Sequence, residues 1–289
     1  MALNEFGQDN NAYIPVATPI DGPVDHPVDG PIEYQVEYQA PSNPMLLEAM
    51  SRPRAAGHLG ILIVASIVLQ FVVVFAVMVA SGESFDPEKQ DTSLSLLVAT
   101  VAIGLVLVAL AAGMTRSASC SAASIGLSFS NWKTDCLLGI VVAIVSQLAF
   151  MVTMLIIFLA WPGMQDQVEA NPERINQMLP PMHPVLLVGL ITLVAFWEEA
   201  IFRGVLVTHL RRIFGSWALA VLVAGGLFGV MHIIGQEPIM AVPLAVIGVI
   251  WTLFMIWRRS IVACVVGHAL FNLGQLFMLG HLTNSTPTP

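Results

Sequence analysis

Residues 184–209 read PVLLVGLITLVAFWEEAIFRGVLVTH, an apolar stretch that carries two adjacent acids, Glu198 and Glu199, and a base, Arg203, near its middle. A helix needs about 20 apolar residues to cross the hydrocarbon core of a bilayer, and this stretch is long enough. An ionised group at that depth is costly unless it is paired, so such groups face the interior of a helix bundle. The stretch therefore predicts a membrane helix with a polar face turned toward other helices.

The composition of the whole chain is typical of a membrane protein. Of its 289 residues, 56% are hydrophobic and 10% are charged, whereas soluble domains carry roughly 25% charged residues. A water-soluble globular enzyme is therefore excluded. The predicted fold class is all-α, a polytopic transmembrane helix bundle of about seven spans with a disordered, acidic N-terminal tail. The apolar stretches that predict the spans lie near residues 60–80, 93–114, 136–160, 184–209, 216–234, 238–257 and 260–280.

The negative charge of the chain is concentrated at its N-terminus. Residues 1–50 hold eight acidic side chains and no Lys or Arg, and they are rich in Pro, Asn and Gln, a composition that favours disorder. The segment lacks the basic start and early apolar run of a cleaved signal peptide, so the first span is expected to remain as an anchor. The predicted organisation is a disordered, Pro-rich cytoplasmic tail over 1–58, two transmembrane helices and a loop over 59–134, a membrane-embedded core over 135–282, and a disordered C-terminus over 283–289.

The basic residues predict how the bundle is oriented. Eight of them flank alternate ends of the predicted spans, whereas the opposite loops hold Lys89 and Arg174. Because translocation of short basic loops is disfavoured, we expect the N-terminus in the cytoplasm and the chain as an integral protein of the cytoplasmic membrane. The lipid bilayer is then its first partner, and no basic patch indicates a nucleic-acid partner.

The charged residues of the fourth span divide into a pair and a single acid. Glu199 and Arg203 lie four residues apart, hence on one helix face, where they can form an ion pair. Glu198 is rotated by about 100° from Glu199, so we expect no cation of its own helix to reach it. One interpretation is a buried packing network of the three residues. The other is a functional carboxylate whose partners come from other helices.

Two other spans carry polar residues that are able to supply those partners. His232 lies in the fifth span, and His268 and Asn272 lie four residues apart in the seventh. Counted at 1.5 Å per residue from the expected cytoplasmic ends of the spans at Arg211, Ser216 and Arg259, Glu198 and Asn272 lie about 20 Å deep, His232 about 24 Å and His268 about 14 Å. Four polar groups on three helices are therefore expected to converge in one buried cavity.

Such a set of groups fits the hydrolysis of an amide bond without an acyl-enzyme. A Glu and a His that share one water molecule can remove its proton, while a second His and an Asn amide stabilise the oxyanion of the tetrahedral intermediate. Two other chemistries use the same residue types. Glu198, His232 and His268 are acceptable zinc ligands, and buried Glu and His residues also occur in proton-coupled transporters.

Three short motifs in these spans are similar to those of a known family. They follow one another along the chain as Glu198-Glu199-x-x-x-Arg203, Phe228-x-x-x-His232 and His268-x-x-x-Asn272. In this order they resemble the motifs of the CPBP family of intramembrane glutamate proteases, which includes the type II CAAX prenyl endopeptidases and the bacteriocin-processing, or Abi, proteins. The resemblance covers roughly residues 135–280.

The resemblance implies a role for each motif residue. The residues expected to act in catalysis are Glu198, His232, His268 and Asn272. The first two would activate the water, and the last two would stabilise the oxyanion. The residues expected to support the site are Glu199, Arg203 and Phe228. The resemblance also implies an all-helical membrane fold that requires no metal and no other cofactor.

The expected function is that of a metal-independent intramembrane glutamate endopeptidase, a hydrolase that cleaves a peptide bond in a membrane-associated protein or peptide. Whether this substrate carries a CAAX-type prenyl group stays open. Two alternatives also stay open, a catalytically silent immunity or scaffold protein of the same family and a zinc-dependent membrane protease. The sequence lacks HExxH, GxSxG and GxGD, the motifs of zinc, serine and aspartyl membrane proteases.

Overall fold

The computed structural model describes residues 47, 49–81, 94–164, 182–234 and 236–278. These residues form helices joined by turns, and no strand occurs among them. Most of the tail expected over residues 1–58 lies outside the described residues. Lys89, Arg174 and residues 283–289 also lie outside them.

The described residues contain seven apolar helices at the positions of the seven expected spans, which confirms the predicted fold class. Five are long enough to cross a membrane, whereas α5 and α7, with 15 and 17 residues, are shorter than expected. The helices are α1 (Arg52–Ser81), α2 (Leu94–Ser117), α3 (Trp132–Ala160), α4 (Pro184–Phe214), α5 (Trp217–Met231), α6 (Ala241–Arg258) and α7 (Val262–Met278).

Local sequence signals set the ends of α4 and the start of α5. Pro184 occupies the first turn of α4, where its missing N–H costs no hydrogen bond. Gly215 ends the helix with a φ of +71°, a left-handed conformation that favours glycine. The Ser216 hydroxyl then accepts a hydrogen bond from the Leu219 N–H and caps α5. The two helices are thereby joined by a tight turn.

Hydrogen bonds between distant segments align the ends of three helices. The Arg54 guanidinium donates to the Ser117 carbonyl (Nη2···O 2.9 Å), which joins the start of α1 to the end of α2. Arg212, near the end of α4, donates to the carbonyl of Met50, just before α1. The start of α1 therefore lies beside the ends of α2 and α4.

A partly buried ion pair aligns α3 with α6 in the same way. Arg258, the last residue of α6, pairs with Asp135 in the first turn of α3 (Nε···Oδ1 2.8 Å). We call the end of the bundle at which α1 and α3 begin and α2, α4 and α6 end the cationic end. It carries the eight basic residues noted in the sequence, Arg52, Arg54, Arg116, Lys133, Arg211, Arg212, Arg258 and Arg259.

Glycines allow two pairs of helices to pack closely. Gly225 and Gly229 are spaced four residues apart, which predicts close approach of α5 to a neighbour, and the structure confirms it against α6. A Cβ on Gly229 would overlap the Ala241 carbonyl and lie 2.9 Å from the Ala245 Cβ. α3 and α7 meet in the same way, because a Cβ on Gly139 would lie 2.5 Å from the Val266 side chain.

At the cationic end, α4 extends beyond the turn between α6 and α7. The Ile125 carbonyl lies where a Cβ of Gly204 would stand, and the next residue, Gly126, accepts a hydrogen bond from the Ile261 N–H at 3.0 Å. Gly204 precedes the end of α4 by ten residues, or about 15 Å. The depth count from the sequence, which took the helix ends as level, was therefore wrong, and α7 brings His268 to the level of the two glutamates.

We expect Gly229→Ala to lower the stability of the bundle by roughly 1–3 kcal/mol, because the added methyl group would overpack the contact between α5 and α6. Gly226→Ala is the matched control, since a Cβ there meets nothing within 4 Å and alanine favours the helix by up to about 1 kcal/mol. Thermal unfolding in detergent measures both variants. Equal unfolding midpoints for the two would contradict the close packing.

Candidate active site

The two acids and the arginine of α4 lie where the helix changes its winding. The α-helical part ends at Glu199, and Ala200–Leu206 form a π-helical turn, a feature that is frequent at functional sites. Arg203 and Glu199 form an ion pair at 3.0 Å (Nη1···Oε1), with side chains 1% and 0% exposed. The pair predicted from their spacing is thereby confirmed.

His268 of α7 lies between the two glutamates. Its Nδ1 is 2.9 Å from Oε1 of Glu199 and its Nε2 is 3.9 Å from Oε2 of Glu198. As the acceptor in this contact, the Glu199 carboxylate oxygen pairs with an Nδ1–H of His268. An additional proton on the ring would then sit on Nε2 and face Glu198.

Glu198 is more exposed than the other charged members of this cluster. Its side chain is 15% exposed, whereas those of Glu199 and His268 are 0% and 3% exposed. Arg203 is engaged with Glu199, and the basic group nearest to Glu198 among the described contacts is the His268 ring. A partly exposed carboxylate that lies beside an imidazole is suited to general-base chemistry.

His232 lies at the edge of the cluster, directly after the end of α5. Its Nδ1 donates to the Phe228 carbonyl at 2.7 Å, so its Nε2 bears the lone pair in the neutral ring. The Phe228 ring stands between the two histidines, with centroids 4.6 Å from His232 and 6.0 Å from His268. Within the described residues, no hydrogen bond or ion pair joins His232 to Glu198.

Asn272 also lies at the edge. It follows His268 by one turn of α7 and is partly exposed, and its side chain makes no hydrogen bond to any residue that the structure describes. The structure thus brings Glu198, Glu199, Arg203 and His268 into contact and places Phe228 against them. It leaves His232 and Asn272 as flanking groups whose contact with the carboxylates is not direct.

Aromatic rings enclose the buried charges. The Arg203 guanidinium lies 4.0 Å from the Phe228 ring centroid and 4.9 Å from that of Trp251, distances at which a cation is attracted to the ring face. Trp251, on α6, also stacks on His268 with centroids 4.4 Å apart and planes at 35°. The Trp251 indole therefore contacts both Arg203 and His268, the two basic side chains of the cluster.

A hydroxyl on α3 anchors this indole. The Trp251 Nε1–H donates to the Ser146 hydroxyl at 2.6 Å, and that hydroxyl donates to the Val142 carbonyl at 2.6 Å. The sequence analysis singled out neither Trp251 nor Ser146. A usable signal existed, because membrane tryptophans concentrate at the interfaces whereas Trp251 lies well inside its span.

Three buried polar atoms of the cluster have no hydrogen-bond partner among the described residues, namely Glu198 Oε2, Glu199 Oε2 and Arg203 Nη2. Leaving such an atom unpaired costs about 1–3 kcal/mol. Two carboxylate oxygens and one guanidinium nitrogen that can form further hydrogen bonds therefore lie together in the cluster.

The zinc interpretation would require Glu198, His232 and His268 to share one ion. Across the described ranges, no group of three or more His, Cys, Asp or Glu side chains is arranged to hold a metal. The two ring nitrogens of His268 face two different carboxylates instead.

The fold and the cluster define a polytopic membrane protein with an acid–imidazole site inside its bundle. Residues 180–274 match the family model described as Rce1-like, type II CAAX prenyl endopeptidase Rce1-like. The matched segment contains all three motifs, from Glu198 to Asn272, and it confirms the resemblance found in the sequence. The family is one of endopeptidases, so the match supports a hydrolase. No curated protein and no solved structure matches the chain.

We expect Arg203→Met to destabilise the protein by about 3–5 kcal/mol, because it leaves Glu199 as an uncompensated buried charge. Adding Glu199→Gln to this variant should recover part of the loss, since the buried charge is then removed as well. Folded yield after size-exclusion chromatography and thermal unfolding measure the series. A double variant no more stable than Arg203→Met would contradict the pairing.

Proposed function

We propose that this protein is an intramembrane endopeptidase in which Glu198 activates a water molecule. The observation that carries the proposal is the position of His268, whose two ring nitrogens face the two glutamates at 2.9 Å and 3.9 Å. One carboxylate orients the ring, and the other lies beside it and is the more exposed of the two. A hydrolase that activates water needs both roles, one carboxylate that orients an imidazole and one that acts as the base.

In the proposed reaction, Glu198 takes a proton from water while the oxygen attacks the carbonyl carbon of the scissile peptide bond. The Nε2 of His232, which bears a lone pair in the neutral ring, accepts a second hydrogen bond from that water. Collapse of the tetrahedral intermediate breaks the carbon–nitrogen bond. Glu198 then returns the proton to the leaving amine, so the carboxylate is regenerated.

Two side chains of α7 stabilise the oxyanion of that intermediate. His268 donates from Nε2 in its doubly protonated form, and the Asn272 side-chain amide donates from the next turn. Glu199 supports the doubly protonated ring by accepting its Nδ1–H at 2.9 Å. The buried aspartate of a Ser-His-Asp triad does the same for the catalytic histidine of serine proteases. Arg203 balances the charge of Glu199.

The substrate class we propose is a membrane-associated peptide or protein, including CAAX-type prenylated chains. The match of residues 180–274 to an Rce1-like family supports this class, and so does the position of Glu198 and Glu199 on α4, a helix long and apolar enough to span a bilayer. By the positive-inside rule the cationic end faces the cytoplasm, where the N-terminus also lies. The chemistry needs no metal ion.

We expect Glu198→Gln and His268→Ala each to reduce cleavage of a farnesylated CAAX peptide by at least about 100-fold, the loss typical of removing a general base or an oxyanion donor. The measurement is product formation by purified protein in detergent, normalised to folded protein. A non-prenylated peptide of the same sequence tests the substrate class.

Asp135→Asn provides the control, because Asp135 is a buried carboxylate paired with Arg258 at the cationic end. It should lower stability while the folded fraction keeps its activity. Cleavage by Glu198→Gln at the wild-type rate would disprove the assignment. Loss of wild-type activity on chelation, with recovery on adding zinc, would disprove the metal-independent chemistry.

Trp251 should act as a positioning residue for His268. We expect Trp251→Leu to lower kcat by about 100-fold, since a misplacement near 1 Å can have that effect, with little change in KM. Trp251→Phe should restore part of kcat because it keeps a ring against the imidazole. Trp257→Leu removes an exposed tryptophan from the same helix and should leave kcat unchanged. Equal kcat values for both leucine variants would contradict this role.

A further inference from the structure

Two guanidinium groups converge at the cationic end beside the turn from α4 to α5. Arg52 Nη2 and Arg211 Nη1 lie 3.6 Å and 3.9 Å from the position that a Cβ would occupy on Gly215. The Arg211 Nε is buried and has no hydrogen-bond partner among the described residues. Two like charges that approach the same point repel each other, and an anion between them would relieve that repulsion.

No described carboxylate balances these charges. Asp135 pairs with Arg258, and Glu198 and Glu199 lie in the central cluster. Glu237 precedes α6, at the opposite end of that helix. Nearby Arg54 and Arg212 donate to backbone carbonyls, which leaves their charges uncompensated too. The start of α5 adds the partial positive charge of a helix N-terminus at the same place.

Apolar side chains continue from this point along the outer face of the bundle. The Arg211 guanidinium lies 5.6 Å from the Trp217 ring centroid, and tryptophan favours the level of lipid headgroups. Phe214 and Leu219 beside the turn are exposed, as is Leu222 one turn further along α5. A ligand that fits this surface carries an anionic head and an apolar tail.

We propose that Arg52 and Arg211 bind the phosphate group of an anionic phospholipid, whose acyl chains lie along Phe214, Leu219 and Leu222. Guanidinium groups bind phosphate oxygens through strong, charge-assisted hydrogen bonds, and basic pockets between membrane helices take lipid headgroups. The acidic residues of the N-terminal tail are a competing source of negative charge, because the chain enters α1 next to this site.

The test uses the full chain in detergent with a short-chain phosphatidylglycerol, the corresponding phosphatidylcholine and inorganic phosphate as probes. Native mass spectrometry measures bound lipid, and the thermal unfolding midpoint provides a second readout. Phosphatidylglycerol should bind best and raise the midpoint. Arg52→Gln and Arg211→Gln should each weaken its binding by at least about tenfold, the effect of losing one charge-assisted hydrogen bond. Lys133→Gln, which removes another charge from the cationic end, should leave binding unchanged.

Equal binding of phosphatidylcholine, or unchanged binding in both arginine variants, would overturn the proposal. Inorganic phosphate that binds as tightly as phosphatidylglycerol would show a site for free phosphate instead. A full-length variant with the eight acids of residues 1–50 replaced by their amides identifies the competing occupant. A tenfold gain in its lipid affinity would assign the site to the tail, and an unchanged affinity supports the lipid. Arg52 is exposed, so its variant should fold even if that of Arg211 does not.

Discussion

One carboxylate oxygen, Oε1 of Glu199, is the point on which the rest of the site depends. It lies 3.0 Å from the Arg203 guanidinium and 2.9 Å from the His268 ring, and none of the three side chains is more than 3% exposed. Removing one partner would leave a buried charge uncompensated, so the three groups stay together. Their contact fixes α4 and α7 in rotation and in depth, and it leaves the second ring nitrogen of His268 facing Glu198.

The surrounding helices keep that oxygen buried and hold it in place. Trp251 lies against both Arg203 and His268 and is itself tied to α3 through Ser146. Glycine contacts between α5 and α6 and between α3 and α7 bring the backbones close enough for these side chains to meet. The low dielectric that results strengthens each hydrogen bond in the cluster, and it also raises the cost of any member left unpaired.

Much of this arrangement could be predicted from the sequence because it follows from local rules. Apolar length placed the seven helices, and the spacing of Glu199 and Arg203 predicted their ion pair. Depth could not be predicted by counting, since the turn before α7 is hydrogen-bonded to the Gly126 carbonyl and lies beside Gly204 rather than beside the end of α4. The contact of His268 with both glutamates, and the Phe228 ring between the histidines, depend on how three helices are rotated, which a linear pattern does not encode.

The central claim is that Glu198 and His268 face the same reacting group while Glu199 holds the imidazole. The most direct measurement is an experimental structure of the protein with a phosphinate peptide, whose two oxygens stand for the attacking water and the oxyanion of the tetrahedral intermediate. The account predicts one oxygen at hydrogen-bond distance from Glu198, the other at that distance from His268 Nε2, and Nδ1 still on Glu199. A phosphinate that contacts neither Glu198 nor His268 would contradict it.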